Sequence, residues 1–349
     1  MKMFGYNDSF EMDAKSYPNH YVGRVISQYN NLYNIICEKG EILAEVSGKF
    51  RHNSRKMAEY PAVGDFVMLD RNTNETGNAI IHAILERKSA FIRKMSGLPN
   101  NEQIIASNID TVFICMSLNK DFNLRRLERY LSVAWESKAT PVVVLTKSDL
   151  CKNIDQKINE VNIVAINVDV IVTSSIIENG YIGVMNYITK GQTIAFIGSS
   201  GVGKSTLINK LIGEDYIKTN GLRSDDKGRH TTTKRELILL SNGCMVIDTP
   251  GIRELGTENA DFLKTFSDID ELSLMCKFSD CTHTNEPNCA VQKAITDKNI
   301  SMERFLNYQK LKKELSYKKL TPKQIENSKL VKISALKVKE PKSRNNRLF

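Results

Sequence analysis

Gly198-Ser199-Ser200-Gly201-Val202-Gly203-Lys204-Ser205 sets glycines, a lysine and a serine in the order G-x-x-x-x-G-K-S, between the β-branched run TIAFI and the helix-forming stretch STLINKLI. Glycine at 198, 201 and 203 lets the backbone turn its N–H groups inward on phosphate oxygens, with Ser199, Ser200, Val202 and Thr206 completing the cradle. Lys204 then reaches the β and γ oxygens, and the Ser205 hydroxyl ligates Mg²⁺. Further on, Asp248-Thr249-Pro250-Gly251 closes the apolar run GCMVI. An aspartate at such a strand end holds the magnesium through water, while Gly251 offers a backbone N–H to a γ-phosphate. Between the two motifs, Gly228-Arg229-His230-Thr231-Thr232-Thr233 falls where a switch loop belongs. One threonine there is expected to close over the metal; Thr232 is the candidate, although the string itself does not decide among the three.

The base is read elsewhere. Thr146-Lys147-Ser148-Asp149 follows the run PVVVL and resembles the N/T-K-x-D guanine motif. Asp149 can accept from the guanine ring N–H and exocyclic amine, donors that adenine does not present together, and Lys147 can lie across the base. Thr146 stands where asparagine is commoner. After the run VDVIV, Thr173-Ser174-Ser175 is expected to bring a backbone N–H to the guanine carbonyl oxygen, a role shared between Ser174 and Ser175. Both base-reading segments precede the phosphate loop, the reverse of the ordinary order, so the motifs are circularly permuted. Because domain termini lie close together at the surface, one sheet can be built from a rotated chain. The segment after Asp248 then leads straight into the carboxyl-terminal region, where hydrolysis could move it.

A water-positioning glutamine is missing after this Asp-Thr-Pro-Gly, where Ile252 stands. An apolar side chain cannot orient the attacking water. His230 is the nearest residue able to accept or relay a proton, set against the plainer reading of a surface loop histidine.

Cys276, Cys281, His283 and Cys289 follow C-x(4)-C-x-H-x(5)-C. Three thiols and an imidazole satisfy tetrahedral zinc with no open position, so this zinc, one per chain, is expected to be structural. The other cysteines, 37, 115, 151 and 244, are scattered and read as small core residues.

These residues need elements to hold them. Residues 20 to 87 carry five short alternating runs, YVGRVISQY, LYNIICEK, EILAEVSGKF, GDFVMLD and AIIHAILER, which predict a small β-barrel of OB type or a more generic one. Arg51, His52, Arg55 and Lys56 in one loop allow a phosphate contact or a solvated surface. Residues 88 to 109 read as a connector. From Asp110 onward, buried β-branched runs alternate with helices such as RRLERYLSVAWESK, which predicts a doubly wound α/β domain with its ligand groups at the strand carboxyl ends. The expected division is a barrel over residues 1–95, a permuted P-loop domain over 96–270, and a zinc-binding helical module with a basic tail over 271–349.

At 349 residues, 41% hydrophobic and 26% charged, the chain is long enough for two or three ordinary cores. No apolar run approaches a membrane span and MKMFGYNDSFEMDAK has no signal-peptide core, which points to a cytoplasmic protein without membrane contact. The net charge of +9 is concentrated: residues 310–349 hold thirteen Lys/Arg against three Glu, and the rest of the chain is near neutral. Such a tail reads as a polyanion-binding arm or as a solvated terminus.

The permuted guanine motifs, GRHTTT, DTPGIREL, an OB-like barrel and the C-x(4)-C-x-H-x(5)-C knot together resemble the ribosome small subunit-dependent GTPases of the RsgA/YjeQ family, over roughly residues 20 to 310. The resemblance implies GTP hydrolysis (EC 3.6.1 class) stimulated by the small ribosomal subunit and a role in late maturation of that subunit. It also implies rRNA contacts through barrel and zinc module, and a catalytic histidine that falls on His230, beside Lys204 and Thr232. Magnesium with GTP, GTP and GDP as ligands, and a monomeric state accompany that reading. The extension beyond about residue 315 is its least transferable part. Two rivals remain at this point: an RNA-binding scaffold with negligible hydrolysis, and a P-loop ATPase or kinase, against which Asp149 argues.

Overall fold

Alternation of buried and exposed residues makes two-faced strands of the first five runs. In the computed structural model, which describes residues 1–29, 31–73, 77–94, 102–213, 236–248 and 265–318, these are β1 (Tyr21–Tyr29), β2 (Leu32–Cys37), β3 (Gly40–Val46), β4 (Phe66–Leu69) and β5 (Ala79–Ile84). β1–β2, β2–β3, β4–β5 and β1–β4 pair antiparallel, whereas β3 and β5 pair in parallel. The closed order 1-2-3-5-4-1 is that of an OB-type barrel, and it decides between the two barrels the sequence allows. Val25, Tyr33, Ile35, Ile42, Val67, Leu69 and Ile81 fill the interior. The short helix Asp8–Ala14, capped by Asn7, packs Phe10 against Phe66 with ring centroids 4.3 Å apart.

The expected connector is instead a pair of strands, β6 (Ala90–Lys94) and β7 (Glu102–Ser107), paired antiparallel. Phe91, Ile104, Ile105 and Ala106 are buried. The Pro-Asn-Asn turn signal between two short runs hides them from a reading by periodicity.

Six strands form the mostly parallel sheet: β8 (Thr111–Ser117), β9 (Thr140–Thr146), β10 (Asp169–Val172), β11 (Thr193–Ile197), β12 (Glu236–Leu239) and β13 (Met245–Asp248). Their order is β10-β9-β8-β11-β13-β12, with every pair parallel except β12–β13. Continuous apolar runs follow from burial on both faces. Val112, Ile114 and Met116 of β8 pack with the helix Leu124–Glu136, while Phe113 and Cys115 pack with the helix Lys204–Ile212 on the other side. The Cys115 thiol, pushed up to about 12 by burial, is an inert core group, as the sequence predicts.

Barrel and sheet belong to one compact unit, Met1–Ser267, and Ser27 of β1 pairs with Glu236 of β12. Beside that junction Arg24 is 1% exposed. Its guanidinium donates to the carbonyls of Phe4, Gly64 and Asn108 and to the Thr193 hydroxyl, and lies 4.9 Å from the Phe66 ring centre. Burial lowers its pKa to about 10.

The second unit, Asp268–Phe349, contains almost all of the helix Ser267–Leu274, then Ala290–Thr296 and Met302–Lys318. Arg304 and Asp268 pair within it at 2.8 Å. No helix among the described residues is long and apolar enough to cross a membrane. The basic tail beyond residue 318 lies outside the described residues.

Candidate nucleotide site and metal centre

Parallel pairing brings distant motifs to one rim. Ser117 pairs with Thr146, Leu145 with Val172, Ile114 with Ile197 and Ile247 with Ala195, so all five parallel strands end on the same side of the sheet. The segments 146–149, 173–175 and 198–205 all emerge there.

At the phosphate loop, Gly198 has φ +142°, and a Cβ at that position would lie 2.3 Å from the carbonyl oxygen of Cys115. Glycine alone fits. Gly201 (φ +76°) turns the chain again, and Gly203 (φ +101°) caps the helix Lys204–Ile212. Ser205 and Thr206 sit in its first turn, where backbone N–H groups can receive an anion. The buried Lys204 amine donates to the carbonyl of Gly198 at 2.7 Å and to that of Ser199.

The segments 146–149, 173–175 and 198–205 are joined by side chains. The Thr146 hydroxyl donates to the Val202 carbonyl at 2.5 Å, and Lys147, in the left-handed region at φ +57°, donates to the Gly201 carbonyl at 2.7 Å. The Ser174 hydroxyl donates to Asp149 Oδ1 at 2.5 Å, and the Ser148 N–H donates to the Thr173 carbonyl at 3.2 Å. The Ser174 N–H goes to the Gly180 carbonyl, so within this chain Ser174 fixes the Asp149 carboxylate.

Asp248 ends β13 beside β11, although its side chain lies outside what is described. His230, Thr231, Thr232 and Thr233, together with Gly251 and Ile252, also fall outside the described residues.

The ligand atoms of Cys276, Cys281, His283 and Cys289 lie within 4.8 Å of one another, so this cluster could hold a metal ion. Cys276 Sγ is 3.8 Å from Cys289 Sγ; His283 Nδ1 is 3.6 Å from the first sulfur and 3.4 Å from the second. On the far side of the ring, Nε2 is 3.1 Å from the Ser273 hydroxyl, which donates its own proton to the Ile269 carbonyl at 2.8 Å. Ser273 must therefore accept from Nε2–H, which leaves the Nδ1 lone pair facing the sulfurs. Burial, with Lys312 nearby, lowers the His283 pKa below its ordinary range and favours that neutral form. Cys289 caps the helix Ala290–Thr296, accepting from the Gln292 N–H at 3.4 Å.

Residues 84–258, half of the chain, match the family model for the RsgA GTPase. The chain belongs to the RsgA GTPase family. A relative in Lactiplantibacillus plantarum named small ribosomal subunit biogenesis GTPase RsgA 2 is 47% identical over 330 residues, 94% of this chain and 92% of the relative. A small ribosomal subunit biogenesis GTPase RsgA of Methanosarcina acetivorans is 42% identical, over 90% of this chain and 85% of its own. Among solved structures, YjeQ from Thermotoga maritima matches with a TM-score of 0.62 at 27% identity, covering 85% of this chain and 98% of that one. YloQ, a circularly permuted GTPase, matches with a TM-score of 0.60 at 26% identity, covering 86% and 97%.

As an RsgA-family GTPase the chain is a GTP hydrolase that requires Mg-GTP, and the permuted motif order is built into a sheet that YloQ shares. Two polar residues, one at the metal cluster and one at the loop 198–205, escape sequence reading. The Ser273 hydroxyl lies outside the C-x(4)-C-x-H-x(5)-C pattern, and Arg126, whose Nη1 donates to the Ser199 hydroxyl at 2.6 Å, belongs to no motif. Helical spacing places Leu127 in the core but says nothing of where its neighbour points.

Proposed function

We propose that this chain is a GTPase that binds the small ribosomal subunit, acts in its late maturation, and hydrolyses GTP faster when bound there. The observation that carries the nucleotide half is the rim where Asp149, held by Ser174, and the loop 198–205, strapped by Thr146, come together. The ribosomal half rests on relatives, 42% and 47% identical over most of both chains, that are named for small-subunit biogenesis.

Asp149 and Lys147 select guanine, and the Ser175 N–H serves its carbonyl oxygen while Ser174 holds Asp149. Gly198, Ser199, Ser200, Gly201, Val202, Gly203 and Thr206 line the phosphates, which Lys204 reaches with its amine. Ser205 and Thr232 ligate the magnesium, with Asp248 behind them and Gly251 at the γ-phosphate. A magnesium ion held by these residues would supply charge neutralisation for the phosphate oxygens. His230 orients the attacking water in place of the glutamine that Ile252 cannot replace.

The metal of the second unit is zinc. Tetrahedral zinc with ordinary bond lengths separates two sulfurs by ~3.8 Å and a sulfur from an imidazole nitrogen by ~3.6 Å. The 3.8 Å between Cys276 and Cys289 and the 3.6 and 3.4 Å to His283 fit those edges. Its four protein ligands leave no open position, so it stiffens the module as a structural ion.

The barrel (1–95) and the zinc module with its basic tail (271–349) contact rRNA and the GTPase domain (96–270) turns over GTP, in a monomeric cytoplasmic protein. Steady-state GTP hydrolysis by the native chain, Lys204→Ala and His230→Ala, each alone and with added small or large subunits, tests this. Stimulation by the small subunit alone, lost in both variants, is expected. Tight GTP binding without stimulated turnover would instead identify a scaffold.

A further inference from the structure

Arg126 stands in the first turn of the helix Leu124–Glu136, its backbone N–H capped by the Asn123 side chain at 3.0 Å. The neighbouring Leu127 is buried in the core that also holds Ile114 and Ile197, which fixes the backbone from which the arginine projects. Arg125 is neutralised by Glu128 at 2.7 Å. Among the described residues no carboxylate forms an ion pair with Arg126, and its guanidinium hydrogen-bonds only the Ser199 hydroxyl, at 2.6 Å.

A half-buried guanidinium without a counter-ion is an anion receptor, with a planar fork of donors that matches phosphate oxygens. Its position names the anion. Ser199 also receives the Lys204 amine on its carbonyl oxygen, so two cations converge on one residue of the phosphate loop. Lys204 is the amine that serves the β and γ oxygens. A small cavity, lined by Cys115, Asp121, Tyr130 and Val202 as well as by Arg126 and Ser199, adjoins this contact.

We propose that Arg126 is a ligand of the terminal phosphate that distinguishes GTP from GDP. With GTP bound, the guanidinium leaves the Ser199 hydroxyl for a γ-phosphate oxygen; with GDP bound, it rests on Ser199, which keeps the charge hydrogen-bonded. The inference rests on the nucleotide-site reading above and adds to Lys204 a second cation supplied by the same chain. Charge placed there also stabilises the oxygens on which negative charge accumulates during phosphoryl transfer.

Equilibrium binding of GDP and of a non-hydrolysable GTP analogue, with magnesium, to the native chain and to Arg126→Ala, Arg126→Lys, Ser199→Ala and Lys204→Ala tests the inference. Arg126→Ala is expected to weaken the analogue roughly tenfold or more and GDP less than about twofold, the size of one charge-assisted hydrogen bond. Arg126→Lys, which keeps the charge but not the fork, recovers part of the loss. Equal weakening of both nucleotides by Arg126→Ala, or none, overturns the inference. So does an equal selective loss in Ser199→Ala, which would make Arg126 a clamp on the loop. A native chain that binds neither nucleotide defeats the site reading itself; one that binds both, with each weakened in Lys204→Ala, upholds that reading whatever Arg126 does.

Discussion

The Thr146 hydroxyl donates to the carbonyl oxygen of Val202, 56 positions further along the chain, and so ties the segment proposed to read the base to the loop proposed to hold the phosphates. Thr146→Val keeps the shape and leaves that buried carbonyl without its donor. We expect a loss of about 1 to 3 kcal/mol in nucleotide affinity, equal for GTP and GDP because the frame rather than the γ-phosphate is affected. Thr146→Ser should retain most of it. Titration calorimetry with both nucleotides checks this, and a loss confined to GTP would count against it.

Ser174 donates to Asp149 Oδ1, which holds the carboxylate in one orientation for the base. Inosine lacks the exocyclic amine of guanine, so preference for GTP over ITP reports on Asp149. Asp149→Asn is expected to reduce that preference by roughly tenfold or more, the size of a charge-assisted hydrogen bond. Ser174→Ala should reduce it by a smaller factor. Competition binding measures both, and an unchanged preference in Asp149→Asn removes that residue from the base site.

At the metal centre, Ser273 accepts from His283 Nε2 and fixes the ring with Nδ1 toward the sulfurs. Ser273→Ala is therefore expected to weaken zinc binding by about 10 to 100-fold while sparing the ligands themselves. A chelator should unfold the second unit of the variant at lower concentration than that of the native chain, followed by far-UV dichroism and zinc release. Equal chelator sensitivity would show that Ser273 does not orient the ligand.

Glu286 accepts from the Thr282 hydroxyl and N–H and from the Thr284 and Asn285 N–H groups, which lowers its pKa from 4.5 to about 2. A depressed carboxylate stabilises the fold above its unfolded value, and the contribution is lost as pH falls through the folded one. Glu286→Gln should therefore lower the melting temperature by an amount that stays constant from pH 8 to pH 5, where the carboxylate is ionised in both states. A gap that shrinks across that range contradicts this assignment.

Arg24→Met would leave the carbonyls of Phe4, Gly64 and Asn108 and the Thr193 hydroxyl without the donor they share. We expect ~3 kcal/mol of destabilisation, the scale of one or more buried polar groups left unsatisfied. Denaturant unfolding of the full chain measures it; a change under about 0.5 kcal/mol, as at an ordinary surface position, would show that the guanidinium contributes little to joining barrel and sheet.

The local strings were enough to single out the segments 198–205, 146–149 and 276–289 as candidates, because each of the motifs proposed for them requires particular residue types at short, rigid spacing. The need for glycine at 198 is legible before the clash of a Cβ with the Cys115 carbonyl is seen, and C-x(4)-C-x-H-x(5)-C names the four residues that the fold brings together. Period-two alternation likewise revealed the five barrel strands, and unbroken β-branched runs revealed a sheet covered on both faces.

Long-range pairing decided the rest. Only the parallel β3–β5 ladder distinguishes the OB-type barrel from another small barrel, since strand order depends on partners far apart in sequence. The strands β6 and β7 declare themselves only once Phe91, Ile104 and Ile105 find a core. The tasks of Thr146, Ser174, Ser273, Arg24 and Arg126 also belong to the tertiary structure. A hydrogen bond depends on where a side chain points, and no spacing rule can state that until the backbone has folded around it.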